Sequence, residues 1–193
     1  FDTCEFEQEL IQFLKSLADE NNAELVIVGD TFDFWELYKT PEKQKLKRII
    51  DNHPRLFKQF KETGKNVKIT FLVGNHDYEL LALDKHKTLL AEYNIRLHGS
   101  PELTLPIGSK KIWIEHGNRF DSSNYITDYK NLHAKPIGYY INQITLKIAS
   151  KLQHKNSTWF KDVTSFFFGK DTLNWLFSNY FYREMSPLIR YPV

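Results

Sequence analysis

Cysteine is nearly missing: Cys4 is the only one among 193 residues. That excludes an internal disulfide and a cysteine-built zinc site, and it suits a reducing compartment such as the cytoplasm. Methionine is equally scarce. The chain opens on Phe1 and its only methionine is Met185, so the natural N-terminus is expected to lie outside these residues, and the lack of a leader peptide excludes nothing. No apolar run reaches the roughly 18 residues of a membrane span. Even the aromatic stretch around Phe166 is interrupted by Lys161, Asp162, Lys170 and Asp171. Internal repeats, low-complexity tracts and flexible linkers are also lacking. Charge of one sign is not concentrated: the formal net charge is +2 and the basic residues are dispersed, which argues against a nucleic-acid partner.

What is present is a hydrophobic content of 41%, enough for one domain with a real core. Phe6, Leu10, Phe13, Leu14 and Leu17 recur at helical spacing. A short apolar strand over residues 25–28 follows. Thr40 and Pro41 read as a cap and first turn of a basic helix that Pro54 interrupts, and a second segment runs to about Thr63 with Gly64 as its stop. The lysines and arginine of "EKQKLKRII" are expected to form a solvated face, with phosphate steering as the alternative. Then come a strand over 67–73, a helix over 78–92 and three short strands in "IRLHG", "ELTLP" and "KKIWIEHG", the last two joined by an "IGSK" turn. The alternation predicts an α/β chain. From Phe120 the texture becomes aromatic, and helices are expected over 137–151 and 173–182.

Three apolar strands end in polar groups of the kind that hold ions. "LVIVGDTFDFW" ends with Asp30 and Asp33, "FLVGNHD" with Asn75, His76 and Asp77, and "IWIEHG" with His116. In α/β sheets the loops at the carboxyl ends of strands gather at one edge, where ligands bind. If the strands are neighbours, Asp30, Asn75 and His116 converge. A carboxylate, an amide and an imidazole form a mixed set that suits Mn²⁺, Fe²⁺ or Zn²⁺ better than Ca²⁺. Taken singly, each has a plainer reading: Asp33 as a helix cap, Asn75 to Asp77 as a polar turn, His116 as a core histidine. His53, His86, His98, His133 and His154 have no motif around them and are expected at the surface or in local hydrogen bonds.

"GDTFDFW", "GNHD" and "EHGN" resemble successive blocks of the calcineurin-like metallophosphoesterase superfamily, over roughly residues 25–121. The resemblance implies a four-layer αββα sandwich, here partial, with a helical aromatic cap at 120–190 inside a single domain that spans 1–193 and is incomplete at both ends. It implies two divalent ions, Mn²⁺ first, with Asp30 bridging them and Asn75 and His116 as further ligands. His76 would assist the leaving oxygen, Asp77 would orient His76, and Asp33 would support the site from behind. The superfamily's D-x-H and GH-x-H blocks are not found here, so this chain is expected to hold part of the centre and to have little activity alone.

The phenylalanine and tryptophan after "GDTFD" and the aromatic segment after "HGN" resemble the branch of UDP-2,3-diacylglucosamine pyrophosphohydrolases, which act on a lipid A precursor. "HGNRFDSSNY" departs from the shorter HGD of that enzyme and points to a sister group of bacterial phosphoesterases. On this resemblance Trp35, Asn118, Asp121, Asn124 and Tyr125 are candidate substrate contacts. Phe166, Phe167, Phe168, Trp175, Phe177 and Phe181 would line an acyl groove or rest on a membrane surface, the protein being cytoplasmic and peripheral to the inner membrane. Expected substrates are therefore a phosphorylated small molecule or lipid. The alternative is a non-catalytic scaffold whose aromatic cap docks a membrane or protein partner.

Overall fold

Apolar residues at helical spacing and two β-branched runs determine the order of elements. The computed structural model describes residues 4–20 and 23–153, with side chains as far as residue 147. Helix α1 (Glu7–Ala18) leads into strand β1 (Glu24–Val28), and helices α2 (Glu42–Asn52) and α3 (Pro54–Thr63) cross over to β2 (Lys68–Leu72). Helices α4 (Glu79–Ala82) and α5 (Asp84–Ala91) then lead to β3 (Ile95–Leu97). The three strands form a parallel sheet in the order β1-β2-β3, with Val28 opposite Leu72. Parallel neighbours need a crossover, and the paired helices supply it. Strands β4 (Glu102–Ile107) and β5 (Lys110–Glu115) form a separate antiparallel hairpin, turned at Gly108 with φ +60°, as the "IGSK" turn predicts. The arrangement is the mixed α/β fold expected from the sequence.

The core gathers between the parallel sheet and the helices, where Leu14 of α1, Phe57 and Phe60 of α3 and Phe71 of β2 are buried together. Thr63 ties α3 to α1 by donating to the Leu14 carbonyl at 2.8 Å. Pro54 does begin a new helix, and Gly64 caps it. Two boundaries differ from expectation. Pro41, not Thr40, is the cap position of α2, and the Thr40 hydroxyl accepts from Arg48 at 3.0 Å. The helix expected over 78–92 breaks at an extended Leu83 into α4 and α5, and the His86 ring folds back to within 3.2 Å of the Glu79 carbonyl. His86 is buried rather than at the surface, and burial holds its pKa below the usual imidazole value.

Lys45 departs from the solvated face assigned to its helix. Its ammonium donates to both oxygens of Glu79 at 2.9 and 3.0 Å, and Lys135 donates to the same carboxylate at 2.8 Å. The side chains of Lys45 and Glu79 are 2% and 0% exposed. Burial lowers the Lys45 pKa, opposed by the Glu79 charge. Helix α2, helix α4 and the segment before the last helix thus meet on one buried carboxylate.

Helix α6 (Ile137–Gln153) lies where a helix was expected. One compact unit runs to Tyr140 and a second begins at Ile141. The second expected helix of the aromatic region, over 173–182, and the aromatic residues from Phe166 to Phe181 lie outside the described residues. Among the described residues no helix is long and apolar enough to cross a membrane.

Removing one partner of a buried ion cluster costs more than the cluster contributes, because a charge is left unpaired. Glu79→Gln leaves two lysines without their carboxylate and is expected to lower stability by about 3–5 kcal/mol in urea unfolding. Lys45→Met, which leaves Glu79 paired with Lys135, is expected to cost clearly less. Equal losses would show that Glu79 is not the shared anchor.

Candidate metal centre

Strands β1 and β2 run parallel and in register, so the segments that follow them leave the same edge side by side. Gly29 and Asp30 both take left-handed conformations, with φ of +74° and +49°. A non-glycine residue there carries backbone strain, which aspartate tolerates better than most and which concentrates at functional positions. The turn brings the Asp30 carboxylate against the neighbouring loop, where its Oδ1 accepts from the His76 backbone N–H at 2.9 Å. The approach is too close for a side chain: a Cβ on Gly74 would lie 2.2 Å from that oxygen, and a Cβ on Gly29 would lie 2.7 Å from the His116 ring. Glycine at both positions is a steric requirement.

His116 reaches the same place by another route than expected. Its strand, β5, belongs to the hairpin and not to the parallel sheet, so the three strand ends are not neighbours in one sheet. The ring nevertheless meets β1: Nδ1 lies 3.0 Å from the Val28 carbonyl and Nε2 lies 3.0 Å from Asp30 Oδ2. A carbonyl can only accept, so Nδ1 carries a proton, and Nε2 faces a carboxylate oxygen. Two lone pairs at that distance require a positive centre, either a second ring proton or a cation. A histidine that anchors one nitrogen on a carbonyl and presents the other is the usual preparation of an imidazole ligand. Asn75, one residue beyond Gly74, is buried. Among the described residues no three His, Cys, Asp or Glu side chains form a metal-holding group; Asp30 and His116 are the pair that meets, and Asn75 is the third candidate from the sequence. This set fits a divalent cation of intermediate hardness.

Asp77 and Asp33 divide their work differently from the sequence expectation. Asp77 does not orient His76. Its fully buried carboxylate accepts from the backbone N–H groups of Gly74 and Thr31, both at 2.7 Å, and of Phe32 at 3.3 Å, so it clasps the two loops together. Burial raises its pKa to about 6, the Gly74 N–H opposes this, and the Asp30 charge adds to it. The partner of His76 is Asp33, whose Oδ1 lies 2.9 Å from Nδ1. Burial works against protonation of His76, but the Asp33 hydrogen bond and charge outweigh it and raise its pKa. Asp33 itself is held below its usual value: burial pushes it up, and the bond and charge of His76 with the Glu36 and Trp35 N–H groups together more than offset that. The same oxygen accepts from the Trp35 backbone N–H at 3.1 Å, so the plainer capping role and the histidine-holding role coexist.

Trp35 is buried, and its indole stacks on the His76 ring with centroids 3.8 Å apart and planes 16° apart. Tyr139 stands edge-on to the indole at 5.8 Å. No local signal in the sequence marks Tyr139 or the Val28 carbonyl as part of this region. The other candidate substrate contacts form a knot of their own. Asn118 is buried and bonds the Asn124 carbonyl and the Tyr129 hydroxyl, both at 3.0 Å, while Asp121 accepts from the Asn124 amide at 2.7 Å. Tyr125 is half exposed. Beside Asp30 and Asp33 lies a cavity of about 450 Å³ with mostly apolar walls, among them Phe6, Leu10, Ile27 and Phe57.

If Asp77 is a clasp, Asp77→Asn should deprive at least one buried N–H of its acceptor and lower stability by about 1–3 kcal/mol in denaturant unfolding. An unchanged midpoint would show that the loops hold together without it.

The family model described as calcineurin-like phosphoesterase matches residues 2–182. No curated protein and no solved structure matches the chain. The match spans nearly the whole sequence, and the chain belongs to the calcineurin-like phosphoesterases, a family of metal-dependent phosphoester hydrolases.

Proposed function

We propose that this chain carries the heart of a two-ion phosphoesterase centre in which Asp30, Asn75 and His116 hold metal and His76 serves the leaving group. The observation that carries the reading is the 3.0 Å approach of His116 Nε2 to Asp30 Oδ2, two ligand-type atoms brought to one point from beyond the ends of strands in different sheets. Mn²⁺ is the favoured ion, with Fe²⁺ and Zn²⁺ as alternatives for the same mixed donor set. When bound, such ions neutralise phosphate charge and lower the pKa of water. Asp30 would hold the ions together with His116, whose ring the Val28 carbonyl keeps turned toward it. Water attacks phosphorus in line, the bond to the leaving oxygen breaks, and that oxygen takes the proton from His76 Nε2 while Asp33 holds Nδ1.

The substrate is a phosphate ester or pyrophosphate, and a UDP-linked lipid A precursor is the specific candidate. Its support is the Phe34 and Trp35 pair after the Asp30 loop and the aromatic texture beyond residue 120. An aromatic cap within a single domain would select the substrate and touch the inner membrane from the cytoplasm, with Asn118, Asp121, Asn124 and Tyr125 at its root. Two ions need more donors than three. Among the described residues β1 has no partner on its outer edge, and the apolar cavity runs along Ile27 of that strand. Donors beyond these three would complete the ligand set, and with the three alone metal is expected to bind weakly and turnover to be low.

Complete protein stripped of metal should not hydrolyse bis(p-nitrophenyl) phosphate, and reloading with Mn²⁺ should restore activity, with little recovery in the present chain. Failure of Mn²⁺, Fe²⁺ and Zn²⁺ alike would favour the non-catalytic scaffold. Asp30→Asn, which keeps a residue tolerant of the left-handed turn, should remove metal-dependent turnover while the unfolding midpoint stays near that of the parent. Retained turnover would overturn the assignment of Asp30.

A further inference from the structure

An imidazole that protonates a departing oxygen must present Nε2 in a fixed direction. A hydrogen bond at Nδ1 alone does not achieve this, because the ring can still rock about the axis of that bond. At His76 the bond to Asp33 Oδ1 is 2.9 Å, and the ring keeps about a third of its surface open, at 30% side-chain exposure. What removes the rocking is the indole of Trp35, parallel to the ring within 16° and 3.8 Å away. The indole cannot retreat. Trp35 is 3% exposed, its backbone N–H is held at 3.1 Å by the same Asp33 oxygen that holds His76, and Tyr139 blocks it edge-on. One carboxylate oxygen thus sets the position of both stacked rings.

We propose that Trp35 is a positioning residue for His76: its stacked indole fixes the plane of the imidazole so that Nε2 points at the leaving oxygen. This rests on the reading of His76 as the proton donor. It assigns Trp35 a task other than contact with substrate, which agrees with an indole whose face is already covered by a protein ring. Asp33 and Trp35 then act as two halves of one support, the first fixing which nitrogen is outermost and the second fixing where it aims. Preorganised groups of this kind gain their effect from neighbours whose own rotamers are locked.

The test uses the complete, Mn²⁺-loaded protein with two diesters. The p-nitrophenolate of bis(p-nitrophenyl) phosphate departs without a proton, whereas the phenolate of diphenyl phosphate needs one. Trp35→Leu should lower kcat for diphenyl phosphate by about tenfold or more, a part of the roughly hundredfold or greater effect of general-acid catalysis. KM for both diesters, and kcat for the nitrophenyl diester, should stay near the parent values. Trp35→Phe, which keeps a stacking ring, should recover most of the loss. In a His76→Asn background Trp35→Leu should cost nothing more. Equal losses on both diesters, or a loss that persists in the His76→Asn background, would make Trp35 a structural residue only and overturn the proposal. So would an unchanged kcat in Trp35→Leu. If His76→Asn alone leaves diphenyl phosphate hydrolysis intact, the reading of His76 as the donor fails and the proposal falls with it. Activity in Trp35→Leu on the nitrophenyl diester shows that the variant folds. Retained nitrophenyl turnover also separates failure of the positioning proposal from failure of the metal centre.

Discussion

The Asp77 carboxylate is the interaction on which this site depends. It is fully buried and accepts from the backbone of both strand-end loops, from Thr31 and Phe32 on one side and from Gly74 on the other. Without a shared acceptor those N–H groups would need water, and the loops would separate to admit it. Closed, they press the Asp30 carboxylate against Gly74 and stand the His76 backbone N–H on Asp30 Oδ1. Desolvation raises the clasp's pKa to about 6, yet the three donors still favour the charged form. A carboxylate held by fixed backbone donors is a cheap way to keep other charges near one another without touching them.

Around this clasp the chain separates anchoring from chemistry within a few residues. Phe32 and Phe34 are buried in the core, with Phe32 stacked on Phe34 and Phe57 and tilted against Phe71, while Asp30 before them and Asp33 between them face outward. The alternation pins a loop that carries backbone strain at Asp30, and strain persists only where packing over-determines it. Just beyond Asp77, Glu79 collects Lys45 and Lys135, so the loop of Asn75 to Asp77 is braced from behind as well. Rigid supports on both sides suit a centre whose donors must hold ions against a charged substrate.

Several elements were legible before any coordinates. The helical spacing of Phe6 to Leu17, the breaks at Pro54 and Gly64, the apolar runs of β1 and β2 and the hairpin at Gly108 all appear close to where local patterning puts them. Local signals succeed there because a helix face, a proline and a turn glycine act through the backbone within a few residues. Where they failed, a distant partner decided. Lys45 reads as one lysine among many, and only Glu79, 34 residues away, makes burial tolerable.

The same division holds at the site. By itself the sequence determined which chemistry is available: glycines next to Asp30, Asn75 and His116 at strand ends, and motif blocks of a metallophosphoesterase, because residue type and spacing are properties of the chain. The tertiary structure alone decided who meets whom. It brought His116 to Asp30 from a different sheet, gave His76 to Asp33 instead of Asp77, and laid Trp35 on the His76 ring. Such pairings depend on the direction of side chains at the ends of strands that are far apart along the chain. That direction is set by packing between layers, which no local pattern encodes.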